Sequence, residues 1–394
     1  MQLFLQQFVN EVNSTAVVKW AHKGDIHVSK PYVLCVSVDA PARASVQNMV
    51  TFDGYFGCTW CLCPGEHREG SMRYTLVSPI EQRTSNRGKS EMHLASRIKD
   101  TINGLKGPSA LMNLKGLDLV NGYSVEYMHC VLQGVAKQLT ETILSSSNSD
   151  QRFYSGAPSA LSRIDLRLLS IKPPHCITRL PRSIQERSHW KASEWRHWLL
   201  FYALPCLDEI LPQEYWRHLS KLCEAIYMLH QEELTSFEID KAAKSLLRNF
   251  VSRCEALYGV TFMTYNVHAL LHLGNCARSL GPLWAHSAFV FEGGNGYIVR
   301  QISAAKGLPD QIIERIIMFQ QLKCVLQSPL LLSEEKRLCN GFLGYAPVLP
   351  QDKMALGRPR WSLGSMDSGV FPQDKRALVG LHWALGSVDS GVSA

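Results

Sequence analysis

The sequence has no apolar run approaching the ~20 residues that a membrane-spanning helix needs, so no helical span and no membrane partner are expected. Met1-Gln-Leu-Phe-Leu-Gln-Gln-Phe8 has neither a basic start nor a small-residue cleavage site and is not expected to act as a secretory leader. These residues read instead as an amphipathic helix entered in its middle, the expectation for a truncated product. Cysteine is too dilute for a disulfide scaffold, with 12 in 394 residues. Most cysteines stand singly in helical patterns, as Cys130, Cys206, Cys223, Cys254 and Cys324 do, and read as buried thiols. Strong charge is absent too: charged residues make up 19% and the net charge is +7, a mild basic bias compatible with a polyanionic partner. That excess is uneven, because Arg163 to Arg196 carries about eight Lys or Arg against three acids.

What is present gathers around residues 31–67. An apolar run, Tyr32-Val-Leu-Cys-Val-Ser-Val38, ends on Asp39 and reads as a short buried strand, which its length and Pro31 favour over the alternative of a buried helix segment. A helix-like segment follows from Pro41 to about Val50. Then comes the one cysteine cluster, Cys58-Thr-Trp-Cys61-Leu-Cys63, with His67 just beyond. Residues 66–110 are polar, rich in Arg, Ser and Gly, and without clear period, so an extended loop region is expected.

Helical spacing is expected for residues 2–13, with Leu3, Phe4, Phe8 and Val12 on one side, and again for 126–143, 192–210, 215–229 and 236–258. The last opens on Thr235-Ser-Phe-Glu238, a capping box. Residues 263–274 carry His268 and His272, Gly281-Pro282 interrupts, and 287–300 and 309–326 follow as helices. In the tail, residues 350–370 recur as 372–392 with about two-thirds of positions identical. Two copies are too few for a solenoid, and a mostly disordered tail is expected.

Four constellations carry chemistry. Cys58 and Cys61 place two thiolates on one turn, a spacing that suits tetrahedral zinc. Two sources of further ligands compete: Cys63 and His67 would close a local knuckle, whereas His268 and His272 share a helix face and would pin the early loop to a late helix. Asp39 and Glu292, the latter in Phe289-Val-Phe-Glu-Gly-Gly-Asn-Gly296, are acids that together suit Mg2+, which prefers carboxylate oxygens. Glu126 and His129 share a helical face and read either as an acid–base pair or as an ordinary helix-start pair. Trp190, Lys191, Trp195 and Arg196 interleave aromatic and basic groups, which suits stacking on unpaired bases; the alternative is an amphipathic helix with its tryptophans in the core.

Taken together, these stretches resemble the transposases of CACTA-type (En/Spm-like) cut-and-paste DNA elements. The resemblance rests on Val38-Asp-Ala-Pro-Ala-Arg-Ala44, Phe52-Asp-Gly-Tyr-Phe-Gly-Cys-Thr-Trp-Cys61 and Lys106-Gly-Pro-Ser109. It continues in Gly122-Tyr-Ser-Val-Glu-Tyr-Met-His129, Trp190-Lys-Ala-Ser-Glu-Trp195, Met263-Thr-Tyr-Asn-Val-His268 and Gly281-Pro-Leu-Trp-Ala-His-Ser-Ala-Phe-Val-Phe-Glu292. It spans about residues 1–325 in order; the tail has no counterpart.

The resemblance implies an α/β fold: a partial RNase H-like (DDE/D) core interrupted by a large, mostly α-helical insertion. The core is expected in 1–65 and 261–330, the insertion in 66–260, and the tail in 331–394. Such cores bind two Mg2+ ions and use water, then a DNA 3′-hydroxyl, to attack a phosphodiester. Asp39 matches the second acid of the triad and Glu292 the third. Glu126 and His129 match the family's Asp-x-x-His motif, with Glu in place of Asp. In the related V(D)J recombinase catalytic subunit a CxxC and a paired-His motif hold corresponding places, which favours zinc on Cys58, Cys61, His268 and His272 over the local knuckle.

No Asp precedes Asp25, and the family's first catalytic Asp lies before the match to this chain, so a catalytically incomplete protein is expected. The function expected is that of a transposase-derived DNA-binding protein, nuclear by resemblance, with DNA as partner and a homo-oligomer compatible with the family. Structural zinc is expected, and Mg2+ only where the catalytic site is completed. The alternatives are a non-enzymatic, zinc-containing DNA- or chromatin-binding remnant, and a decayed reading frame without function.

Overall fold

The computed structural model describes residues 2–342, apart from 16, 23, 31, 176 and 328–330. The tail repeat lies outside the described residues. The chain is mostly helical, and among the described residues its sheets are two small antiparallel ribbons. The described residues divide into two units, one of residues up to 170 together with 181–288, the other of 171–180 together with 289–342.

The first unit begins with helix α1 (Gln2–Ser14). Its inward face is Leu5, Phe8, Val9 and Val12, spaced at i, i+3, i+4 and i+7, and it packs on Val46, Leu111, Leu114, Leu117, Leu119 and Tyr123. This rotates the face expected from sequence: Leu3 and Phe4 are exposed, because only a stripe that includes Val9 meets the Leu111–Leu119 cluster. Strands β1 (Val18–His22) and β2 (Asp25–Ser29) form an antiparallel ribbon that pairs Trp20 with His27 and leaves Ile26 and Val28 exposed.

Residues 32–38 do not form the buried strand expected of them. They run extended with a single parallel bridge, Val36 to Tyr123, in which Val36 N–H donates to Gly122 O at 2.8 Å and Ser124 N–H donates to Val36 O at 3.0 Å. Tyr32 and Leu34 are exposed. An apolar β-branched run becomes an interior strand only when ladders flank it. Among the described residues this run finds one bridge.

Helix α2 (Ala40–Gln47) starts where Asp39 caps it: Oδ1 accepts from Ala42 N–H at 2.8 Å, and proline stands in the first turn. The polar stretch expected as loop contains a ribbon, β3 (Glu66–Arg68) with β4 (Ser71–Arg73), and helix α3 (Ser85–Ile98), capped by the Thr84 hydroxyl. Helix α3 buries only Met92 and Ala95, a stripe too narrow to register as a hydrophobic period.

The helical block agrees with its periodicity. A π-helical stretch, Met128–Ala136, runs into α4 (Lys137–Leu144), and α5 (Pro158–Ser170) follows. Helix α6 (Ala192–His197) continues through π-helical Trp198–Tyr202 into α7 (Ala203–Leu207), and α8 (Gln213–Met228) comes next. Helix α9 (Ser236–Asp240), entered through the Thr235–Glu238 capping box, passes through π-helical Lys241–Leu247 into α10 (Arg248–Tyr258). Leu132, Leu139, Ile143, Trp195, Trp198 and Phe250 are fully buried, and Trp198 Nε1–H donates to Thr140 Oγ1 at 3.0 Å. Helices α11 (Tyr265–Ala269) and α12 (Leu273–Leu280), joined by the 3-10 turn Leu270–His272, bring the chain back beside the cysteine cluster. Gly281 stops α12 at φ 89°, a left-handed conformation that favours glycine.

In the second unit the described helices are α13 (Phe289–Arg300), α14 (Leu308–Gln327) and α15 (Ser333–Phe342).

Candidate metal centre

Cys58 and Cys61 lie on a tight knuckle fixed from both sides. Gly57 allows its entry, since a Cβ there would stand 2.4 Å from Thr51 O and 2.9 Å from the Tyr74 hydroxyl. Beyond it, residues 60–62 run against 81–83: Leu62 N–H donates to Glu81 O at 2.8 Å and Arg83 N–H to Trp60 O at 2.9 Å. His268 sits in the last turn of α11 and His272 ends the 3-10 turn, one helical turn apart and on one face.

The four side chains converge. Cys58 Sγ lies 3.4 Å from His272 Nε2, Cys61 Sγ 3.3 Å from His268 Nε2, and the two Nε2 atoms are 3.4 Å apart. All four ligand atoms fall within 4.8 Å of one another, and every residue is buried. A tetrahedral zinc ion with Zn–S about 2.3 Å and Zn–N about 2.0–2.1 Å has ligand–ligand edges of about 3.3–3.8 Å, a range in which the three separations of 3.3–3.4 Å fall. The cluster can therefore hold a metal such as zinc. Cys63 is buried but outside it, lining a cavity of about 260 Å³, and His67 is exposed on β3, so the four converging groups are not those of the local knuckle.

Electrostatics favour a cation here. Burial raises the Cys58 thiol, but the hydrogen bond with Cys61 and the imidazoles of His272 and His268 outweigh it and hold Cys58 well below the ordinary range. The same hydrogen bond, with burial and the Cys58 charge, pushes Cys61 far up. The pair gives up one proton readily and the second reluctantly, and a divalent cation is what makes two adjacent thiolates favourable. Aromatic rings wall the cluster: Trp60 stacks on His272 with centroids 5.4 Å apart, and Tyr74 lies 5.1 Å from His268.

The expected acids sit as follows. Asp39 is half-buried and spends Oδ1 on capping α2. Glu126 is buried, and its carboxylate accepts from Met128 N–H (2.9 Å), His129 N–H (2.7 Å), Ala288 N–H (2.7 Å), Ser287 Oγ–H (3.4 Å) and the His129 ring at Nδ1 (2.6 Å). Burial raises its carboxyl, yet those donors outweigh burial and leave it below the ordinary value. Glu292 lies exposed in the first turn of α13, in the second unit.

The proposed stacking platform is corrected. Trp190 and Trp195 are both buried, with ring centroids 5.1 Å apart, and Trp190 also meets Trp198 at 5.7 Å. Their faces are covered by protein, so bases cannot stack on them. Lys191 is exposed and Arg196 half-buried. The basic segment is partly neutralised internally: Arg182 donates to Glu194 at 2.6 and 3.0 Å, and Arg187 pairs with Glu141 at 3.0 Å.

Sequence reasoning missed the buried arginines and the seam at His286. Arg43 donates to Thr59 Oγ1 (3.1 Å) and to the Tyr265 hydroxyl (2.7 Å), with its guanidinium 4.7 Å from the Trp60 ring centroid. Ser124 Oγ lies 2.6 Å from His286 Nδ1, and Ser37 Oγ–H donates to His286 O at 2.7 Å. No spacing rule singles out the His286 seam, whose partners are more than 160 residues away, and the carbonyl, hydroxyl and ring partners of Arg43 form no motif. In comparisons with known proteins, no family model matches the chain and no curated protein matches it.

Proposed function

We propose that this chain is a transposase-derived, DNA-binding protein with an RNase H-like (DDE) ancestry, in which structural zinc on Cys58, Cys61, His268 and His272 clasps the segment after Asp39 to the segment before Glu292. The carrying observation is the buried Cys2His2 convergence across more than 200 residues of sequence. Its place, after one expected acid and before the other, is where the resemblance puts it. A second observation supports the reading. Ser37, two residues before Asp39, and Ser124 and Glu126 are all hydrogen-bonded to residues 286–288, a few positions before Glu292. The residues that lead up to Asp39 and the residues 286–288 thus share a hydrogen-bonded seam within the first unit.

Zinc in this role supplies cohesion, because its binding free energy is folding free energy. His129, its Nδ1 held by Glu126, is the group suited to hold or pass a proton near a phosphodiester. DNA is the partner that the positive balance suits, with Mg2+ required only for strand chemistry. The test combines zinc content with DNA binding across a salt series. About one zinc per chain and a binding constant that falls linearly with salt on logarithmic axes are expected. Zinc-free folded protein, or an affinity indifferent to salt, would overturn the reading. Mg2+-dependent nicking in the same assay separates an enzyme from the second reading, a DNA-binding remnant. The latter is favoured by the engagement of Asp39 Oδ1 as a helix cap.

A further inference from the structure

Arg83 is a buried cation, 9% exposed, that no carboxylate among its hydrogen-bond partners neutralises. Its Nε–H donates to Cys58 O (2.8 Å) and Cys61 O (3.2 Å), and Nη2–H donates to Phe56 O (2.9 Å) and Asn103 O (2.6 Å). One guanidinium thus gathers the carbonyls of both cysteines, of the residue that leads into the knuckle, and of a loop forty-odd residues on. Burying a charge with no carboxylate hydrogen-bonded to it is costly, although the Glu91 carboxylate favours the charged form from nearby, and a surface loop could have satisfied these carbonyls with water. The guanidinium itself is placed by the short pairing of 81–83 against 60–62, which sets its backbone beside Trp60.

We propose that Arg83 is a positioning residue for the metal clasp: its fork fixes the Cys58–Cys61 turn in ligating geometry, and its charge compensates the thiolates that the metal requires. This rests on the zinc reading above. Arginine suits the role because its planar fork reaches several acceptors in fixed directions, where a lysine ammonium is a single point charge. The sulfur atoms are left to the metal, since every one of these bonds goes to a carbonyl oxygen. Residues that orient ligands from behind typically contribute 10–100-fold to metal affinity, and this is the size of effect expected here.

The experiment measures zinc affinity of the full chain by competition with a chromophoric chelator, with Co2+ as spectroscopic probe. It compares wild type, Arg83→Lys, Arg83→Met and Met92→Ala. Met92 is a buried residue of α3 whose cluster, Ala44, Met49 and Leu105, contains none of the four ligands, so its truncation reports general destabilisation. Arg83→Met is expected to weaken zinc binding about 10–100-fold and to broaden or shift the Co2+ d–d bands, with Arg83→Lys restoring only part of the affinity. Wild-type affinity and spectrum in Arg83→Lys would overturn the proposal. So would an equal loss of affinity in Met92→Ala at a matched unfolding midpoint. Where Arg83→Met does not fold, Arg83→Lys against Met92→Ala decides alone. A wild-type chain that takes up no zinc removes the clasp itself, a result distinct from either.

Discussion

At the scale of single residues, burial separates groups that spacing could not. Trp190 and Trp195 carried the same interleaved pattern that a base-stacking surface would, and only packing distinguishes the two. Cys58 and Cys61 were legible as half of a metal site from their spacing, while the choice of His268 and His272 over Cys63 and His67 came from the resemblance. Glu126 was legible as half of a pair but not as an anchor, because its donors Ser287 and Ala288 lie far away in sequence. Glu126→Gln keeps the shape but gives up the charge and turns one acceptor atom into a donor facing N–H groups. It is expected to lower stability by about 1–3 kcal/mol, read from urea unfolding. An unchanged midpoint would mean that the carboxylate's donors do not need its charge. The histidines add a pH dependence. Burial is the leading cause that lowers His197, His218 and His230 to about 4. The unfolded chain, with histidine near 6.5, then binds more protons than the folded one between those values. Stability is expected to be complete above about pH 6.5 and to fall steadily toward pH 4, measured as the urea midpoint against pH. A midpoint constant over that range would contradict the assignment.

At the scale of elements, helices announced themselves and strands did not. Residues 213–228 and 236–258 carry broad apolar stripes and a capping box, and they fold as read. Residues 32–38 looked like a buried strand because apolar β-branched runs do, yet strand formation depends on neighbours that a local pattern cannot reveal. Helix α3 went unread for the opposite reason: its inward stripe is two small contacts in a polar sequence. Asp39 belongs at this scale too, as the cap of α2. Asp39→Ala is expected to destabilise by about 1 kcal/mol, whereas Asp39→Asn, also a good cap, should stay within a few tenths. Equal losses in both, by urea unfolding, would show that the carboxylate does something for stability beyond capping.

At the scale of the molecule, the first unit has a helical core and a buried Cys2His2 cluster, the proposed clasp, that brings residues 58–61 against residues 268–272. The clasp was the most legible part of the site, while its supports, Arg83 and Arg43, were invisible because carbonyl and ring partners leave no mark on sequence. Because metal binding and folding are linked, a strong chelator is expected to lower the thermal midpoint of the wild-type chain and leave that of Cys58→Ser/Cys61→Ser unmoved. The most direct test is zinc K-edge X-ray absorption on the purified full chain. One zinc is expected, with two sulfur ligands at about 2.3 Å and two nitrogen ligands at about 2.0–2.1 Å. A shell with three sulfurs, which would bring in Cys63, a shell of nitrogen and oxygen alone, or no bound zinc would contradict it.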